Sequence, residues 1–274
     1  MTSWQPLGVI RPELLAAARI EAHYAAIVLA SVASSMREPV PDDSHSSLIF
    51  EDGEIRTQRI PAPTPFRFAL DLERWQLVAA REDGIDAEAH SLAGRTLAEA
   101  LSWASEASHR LWPEAPRVER RRFPDFPAHA IADGAPFSEP EIELRRELER
   151  YFADAALLLG DVADAFDGAS PVRLWPHHFD IATLIPVDGK TFERTVGVGL
   201  SPGDSFSEEP YWYVTPWPAP KSAVLPASSP PGRWQSEPFL ASVSRASELD
   251  SEDQEQRLRD FLRHSIRDAL VLLR

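Results

Sequence analysis

The chemically able side chains of this sequence crowd between residues 175 and 217. They form three blocks: Trp175-Pro176-His177-His178-Phe179-Asp180, then Gly199-Leu200-Ser201-Pro202-Gly203-Asp204, then Glu209-Pro210-Tyr211-Trp212-Tyr213-Val214-Thr215-Pro216-Trp217. Side chains alternate along an extended strand, so His178 and Asp180 are expected on one face, with Trp175, His177, Phe179 and Ile181 on the other. An imidazole and a carboxylate two residues apart can serve as metal ligands or as an acid/base pair, which makes His178 and Asp180 the expected catalytic residues. Trp175, Tyr211, Tyr213 and Trp217 are candidate walls of a ligand site, with Asp204 and Glu209 as polar anchors. The same rings read equally as a buried cluster bridging sheet and helices.

The first half of the chain adds His23 and His45. If these met His178 and Asp180 in one cleft, three imidazoles and a carboxylate would suit a divalent transition metal such as Zn, Fe or Mn. The chain has no cysteine, so every thiolate-based metal site, thiol nucleophile and disulfide is excluded. The plainer alternatives are a core histidine satisfied by one hydrogen bond at His23 and a turn residue at His45. Glu21 lies about 160° around the helix from His23, so those two side chains diverge.

The patterns Trp-Pro-x-His-Phe-Asp-x-Ala (Trp175 to Ala182), Gly-x-Ser-Pro-Gly-Asp (Gly199 to Asp204) and Glu-Pro-Tyr-x-Tyr-Val-x-Pro-Trp (Glu209 to Trp217) resemble a group of bacterial proteins, common in actinobacteria, that carry no assigned activity. In the first half the similar feature is a histidine inside the first long helix, here His23. The resemblance implies a shared fold and a shared site at these blocks, and it brings no reaction with it.

Gly199 to Gly203 also fits the Gly-x-Ser-x-Gly form of a nucleophile elbow. There the residue after the serine gives its N–H to the oxyanion hole and opens a helix, whereas Pro202 has no N–H and a strand follows. A tight turn is the better reading. A zincin helix motif, a P-loop and a dinucleotide-binding glycine motif are all absent from the sequence. Before that turn, Thr195, Gly197 and Gly199 share one strand face, which leaves room for a ligand or a packed helix to approach the backbone.

Four helices are expected to position these blocks. Residues 12–36 open with Pro12 at a position where a missing N–H costs nothing, and they are apolar nearly all round. Residues 96–111, 141–166 and 254–273 carry apolar stripes at helical spacing. Strands are expected at 47–50, 54–60, 66–80, 172–185, 192–200 and 211–215, with Asp52-Gly53 as a hairpin turn and Asp188-Gly189 in the corresponding place of the second half. The expected fold is therefore α+β: a mainly antiparallel sheet of about six strands packed by long helices, in two αβββα halves. The halves would be residues 1–111 and 141–274. Residues 112–140, with six prolines and the cluster Arg117, Arg120, Arg121 and Arg122, would form a surface linker between them. Prolines at 210, 216, 218 and 220 suggest a sheet edge or a rigid pocket wall.

Composition narrows the partners. The 274 residues include 28 basic and 43 acidic side chains, a formal charge of -15 that repels nucleic acid and anionic membranes at long range. Apolar residues at 43% are enough to build a core. The most membrane-like stretch, residues 14–36, is interrupted by Arg19, Glu21 and His23, so a cytoplasmic location is expected. A small molecule is the expected partner. The leading reading is a pocket protein acting as a metal-dependent enzyme through the His/Asp site. The alternatives are a non-catalytic binding module with an aromatic-walled pocket and a structural or interaction protein.

Overall fold

Asp52 and Gly53 adopt the left-handed backbone that a two-residue hairpin turn demands, with φ of 53° and 78°. They join β1 (Leu48–Glu51) to β2 (Glu54–Thr57), in register Glu51 to Glu54. The structure, a computed structural model, describes residues 3–82, 86–220, 224–227, 230–249 and 252–274. In chain order its α-helices and strands are α1 (Ala16–Met36), β1, β2, β3 (Phe66–Asp71), β4 (Gln76–Arg81), β5 (Glu88–Ser91), α2 (Leu97–Leu111), α3 (Ile142–Ala165), β6 (Arg173–Trp175), β7 (Asp180–Pro186), β8 (Thr195–Ser201), β9 (Tyr211–Trp217), β10 (Arg233–Gln235), β11 (Ala241–Arg245) and α4 (Gln254–Leu272). The fold is α+β with antiparallel strand pairing, as the patterning predicts.

The chain forms two compact units. One comprises Ala17–Glu149 with Leu174–Phe179, and its strands run in the order β6-β1-β2-β3-β4-β5. The other comprises Met1–Ala16, Arg150–Arg173 and Asp180–Arg274, with the order β10-β11-β9-β8-β7. We call them the first and second units.

Among the described residues eleven strands replace the expected six or so, for local reasons. The stretch 66–80 is a hairpin, not one strand, and its turn contains neither Gly, Pro nor Asn. Instead Trp75 takes φ 53° and is held there by burial and by its indole N–H, which donates to the Ser138 carbonyl at 2.7 Å. The stretch 172–185 is likewise broken, by a turn over residues 176–179 in which Phe179 has φ 60°. At Asp188 the expected tight turn is a longer loop between β7 and β8. There the carboxylate accepts from the N–H groups of Lys190 and Thr191, and these bonds hold its pKa down at about 2. The proline-bearing strand β9 lies inside the sheet, paired with β8 and β11, and is not an edge. Pro216 is tolerated because the pairing with β11 stops at Val214.

In the first unit, residues 112–140 are a strap bonded to α1. Glu21, Tyr24, Ser31 and Ser35 recur on one helix face. The Glu21 carboxylate accepts from Ser138 N–H, Tyr24 donates to the Pro127 carbonyl, and Ser31 and Ser35 accept from the N–H groups of Arg121 and Glu119. Pro12–Met36 is long and apolar enough to cross a membrane by length and composition, yet most of it is buried within the chain. In the second unit, α4 lies on β8 and β9 and buries Leu258, Phe261, Leu262, Ile266 and Ala269.

Candidate functional site

The second unit gathers five of the expected site residues, Asp180, Asp204, Tyr211, Tyr213 and Trp217, on the sheet face that alternates with the buried Trp212 and Val214. Along β9, Tyr211, Tyr213, Thr215 and Trp217 point to this side. Tyr213 and Thr215 are half-buried and Trp217 is 64% exposed, against 0% for Trp212 and Val214. Register places Tyr211 opposite Ser201 and Tyr213 opposite Gly199, which in turn pairs with Ala182. The Tyr213 hydroxyl donates to Asp180 in a short bond, and the Tyr211 hydroxyl donates to Asp204 at 2.6 Å.

Both phenols are pushed above their ordinary pKa. Burial is the main cause, and the neighbouring carboxylates, Asp180 for Tyr213 and Asp204 for Tyr211, add to it. Each therefore keeps its proton at neutral pH and spends it on its carboxylate. Each phenol oxygen still has acceptor lone pairs, and at Tyr211 the Ser201 hydroxyl stands in hydrogen-bonding reach of them.

Gly199 makes this arrangement possible. A Cβ there would lie 2.5 Å from the Tyr213 hydroxyl oxygen and 2.8 Å from the Ile181 carbonyl oxygen, so only glycine lets the ring settle across the strand. The small-residue face of β8 is covered by cross-strand side chains, Tyr213 over Gly199 and Thr215 over Gly197. Asp204 is fixed by the turns on either side of it: its other oxygen accepts from the N–H groups of Phe206 and Ser207 after it, and before it Ser201 Oγ accepts from Gly203 N–H. Phe206, Phe239, Tyr211 and Tyr213 pack around Ala241 and Val243. Glu209 is occupied elsewhere, accepting from the N–H and hydroxyl of Ser247 at the start of a short 3-10 helix.

The remaining expected residues belong to the first unit. His178 and Asp180 do not share a strand face, because residues 176–179 form a turn and alternation fails there. His178 is exposed, and its ring lies 4.2 Å from that of His177. His177 is half-buried between Phe123 and Trp175, and burial followed by the nearby His178 lowers its pKa to about 4.

His23 is 5% exposed and stacks on Phe179 at 4.9 Å with 11° between the ring planes. Its Nε2–H donates to the Pro176 carbonyl at 2.8 Å. Burial lowers its pKa to about 3, so the ring is neutral. It is the core histidine satisfied by a hydrogen bond, and it fastens the Pro176 turn to α1. His45 is also buried, and its Nδ1 accepts from Val40 N–H at 3.3 Å. Trp175 is half-buried with its ring 5.9 Å from that of His177.

The metal set anticipated from His23, His45, His178 and Asp180 does not form. Among the described residues no three His, Asp or Glu side chains are grouped so as to hold a metal ion. The physical reason is that His23 and His45 are spent on backbone partners and Asp180 receives the Tyr213 hydroxyl. Sequence reasoning paired Asp180 with the wrong neighbour. The signal that would have corrected it is Gly199, whose lack of a side chain marks the strand position that a ring from β9 must cover. Compared with protein-family models, curated proteins and solved structures, the chain matches none.

Proposed function

We propose that the protein is a non-catalytic binding module whose second unit takes a small organic cation, an amine or amidine with an apolar or planar body, on the sheet face built from Asp180, Tyr213, Asp204 and Tyr211. The observation that carries this reading is the direction of the tyrosine protons. Because each phenol donates to a carboxylate, the pairs present acceptors and negative charge beside aromatic surface. That combination favours a ligand bearing N–H donors and positive charge, held by charge-assisted bonds and ring contact. The formal charge of -15 steers cations toward the chain.

Arg245, a basic side chain, shares the row of Tyr211. It sits three strands from Asp180, about 14 Å at the usual strand spacing. That exceeds the screening length of about 8 Å at physiological ionic strength. Its guanidinium lies over the Phe206 ring at 5.3 Å, and it does not oppose a cation at Asp180.

Catalysis is not part of this reading. Tyrosines held protonated are poor bases, and His178 sits on an exposed turn instead of beside Asp180 on a strand. The test is calorimetric titration of the full chain with benzylamine and with benzyl alcohol, which keep the ring and differ in the cation. Benzylamine should bind and benzyl alcohol should not, and Asp180→Asn should weaken benzylamine at least tenfold. Equal binding of the two probes, or benzylamine binding unchanged by Asp180→Asn, would overturn the proposal.

A further inference from the structure

The second unit also has a groove whose lining includes none of the residues of the tyrosine face. It runs between α3 and α4 and measures about 510 Å³, within the range of roughly 300–1,000 Å³ typical of small-molecule sites. Its floor is apolar: Leu158, Val162 and Phe166 from α3 and the segment after it, with Leu262, Ile266 and Leu270 from α4. Its rim is basic. Arg259, Arg263, Arg267 and Arg274 line it with a single carboxylate, Asp161. On α4 the apolar row 262, 266, 270 and the arginine row 259, 263, 267 each advance by four residues, so they run side by side along the helix. The rim from 259 to 274 extends about 22 Å at 1.5 Å per residue.

We infer that this groove holds a free fatty acid, its chain along the apolar floor and its carboxylate among the arginines of α4. Charge complementarity selects the occupant. Four arginines and one acidic side chain line the groove, so the charge facing its interior is positive, although Glu255, Asp260 and Asp268 balance the arginines from outside it. The present partners of Arg263 and Arg267 are Asp260 and Asp268, neighbours on the same helix that do not line the groove. Both arginine side chains are 69% exposed, and exposed pairs of this kind are weak, so a ligand carboxylate can replace Asp260 and Asp268 at little cost. Arg259 is held more firmly, by Asp161 at 2.7 Å and by Glu255. The headgroup is therefore assigned to Arg263 and Arg267. A second copy of the chain is a poor occupant, because a two-fold contact through this groove would set one arginine row against the other.

The experiment is calorimetric titration of the full chain with monomeric octanoate, decanoate and dodecanoate, each below its micelle concentration. Affinity should rise about fourfold for each added methylene, the consequence of burying the chain in an apolar floor. Dodecanol, which lacks the charge, should bind at least tenfold more weakly than dodecanoate, and the double variant Arg263→Glu with Arg267→Glu should lose a similar factor. Ala165→Trp places a large ring in the groove from an exposed position and should abolish binding while leaving benzylamine titration at the tyrosine face unchanged.

Several results would overturn the inference. These are dodecyltrimethylammonium binding as tightly as dodecanoate, dodecanoate binding undiminished in Ala165→Trp, or no affinity for any of the three acids. Retention on phosphatidylglycerol vesicles without binding of monomeric dodecanoate would overturn it in favour of a membrane headgroup. Displacement behaviour seen only with an acidic amphipathic peptide would overturn it in favour of a protein partner.

Discussion

His23 and Tyr213 are both polar rings packed on apolar neighbours, and they end in opposite circumstances. The His23 ring is sealed between α1 and the Pro176 turn, stripped of charge by burial, and its N–H is spent on a backbone carbonyl. Tyr213 is half-buried as a whole residue, and its hydroxyl donates to a side-chain carboxylate, that of Asp180. A hydrogen bond to a backbone carbonyl completes a fold. A phenol tied to a carboxylate also completes local bonding, and it leaves a charged pair with acceptor lone pairs, the feature on which the proposed ligand would depend. Polarity and residue type are the same kind of signal at both places, and it is the partner that separates the roles.

The largest effect is expected at His23. His23→Ala removes a stacked, fully packed ring and strands the Pro176 carbonyl, and should cost about 3 kcal/mol in urea unfolding. His23→Phe keeps the ring and loses the bond, and should cost about half as much. A loss under about 1 kcal/mol for the alanine variant would break the distinction between the two regions.

Acid should act through the same residue. With a folded pKa of about 3 against 6.5 for the free side chain, the unfolded state takes the proton first. Stability is then whole above pH 6.5 and falls as pH drops toward 3, at a limiting slope of about 1.4 kcal/mol per pH unit for one proton. His177, lowered to about 4, acts in the same direction. Unfolding midpoints at a series of pH values for wild type and His23→Gln should therefore converge on acidification.

Next in size is Gly199→Ala, where the new methyl group meets both Tyr213 and the Ile181 carbonyl. A loss of about 2 kcal/mol is expected, together with loss of benzylamine binding as the ring is displaced. Tyr213→Phe should cost only about 1 kcal/mol of stability while weakening benzylamine about tenfold. That ratio, small on folding and large on binding, is the reverse of the His23 variants and sharpens the contrast most directly. The smallest effect is at Gly160 inside α3, where a Cβ meets nothing within 4 Å. There Gly160→Ala should stabilise the chain by about 0.5–1 kcal/mol, opposite in sign to the same substitution at Gly199.

Helices were legible in the sequence because their signals are periodic. Thr96 and Glu99 form the reciprocal capping box that their spacing allows, and α2, α3 and α4 begin and end within a residue or two of the predicted limits. Strand count was not legible, because the turns at Trp75 and Phe179 put large rings in left-handed backbone where the usual turn residues are missing. Tertiary bonds secure those turns from distant segments, Ser138 in one case and His23 in the other. The candidate site was half legible. Asp180, Asp204, Tyr211 and Tyr213 do assemble, but who pairs with whom depends on strand register across three strands, which no local pattern encodes. His178 was misplaced for the same reason as the strand count. The arginine row of α4, Arg259, Arg263 and Arg267, is readable in the sequence at its four-residue spacing.

The strap bonded to α1 has a consequence for synthesis. Helix α1 emerges from the ribosome about eighty residues before Glu119 and about a hundred before Ser138, the outer limits of the backbone that closes over its polar stripe. At about 5–20 residues per second, a membrane-like segment waits some five to twenty seconds before its own cover has been made. During that interval the nascent chain offers a greasy helix to any targeting factor or chaperone at the tunnel exit.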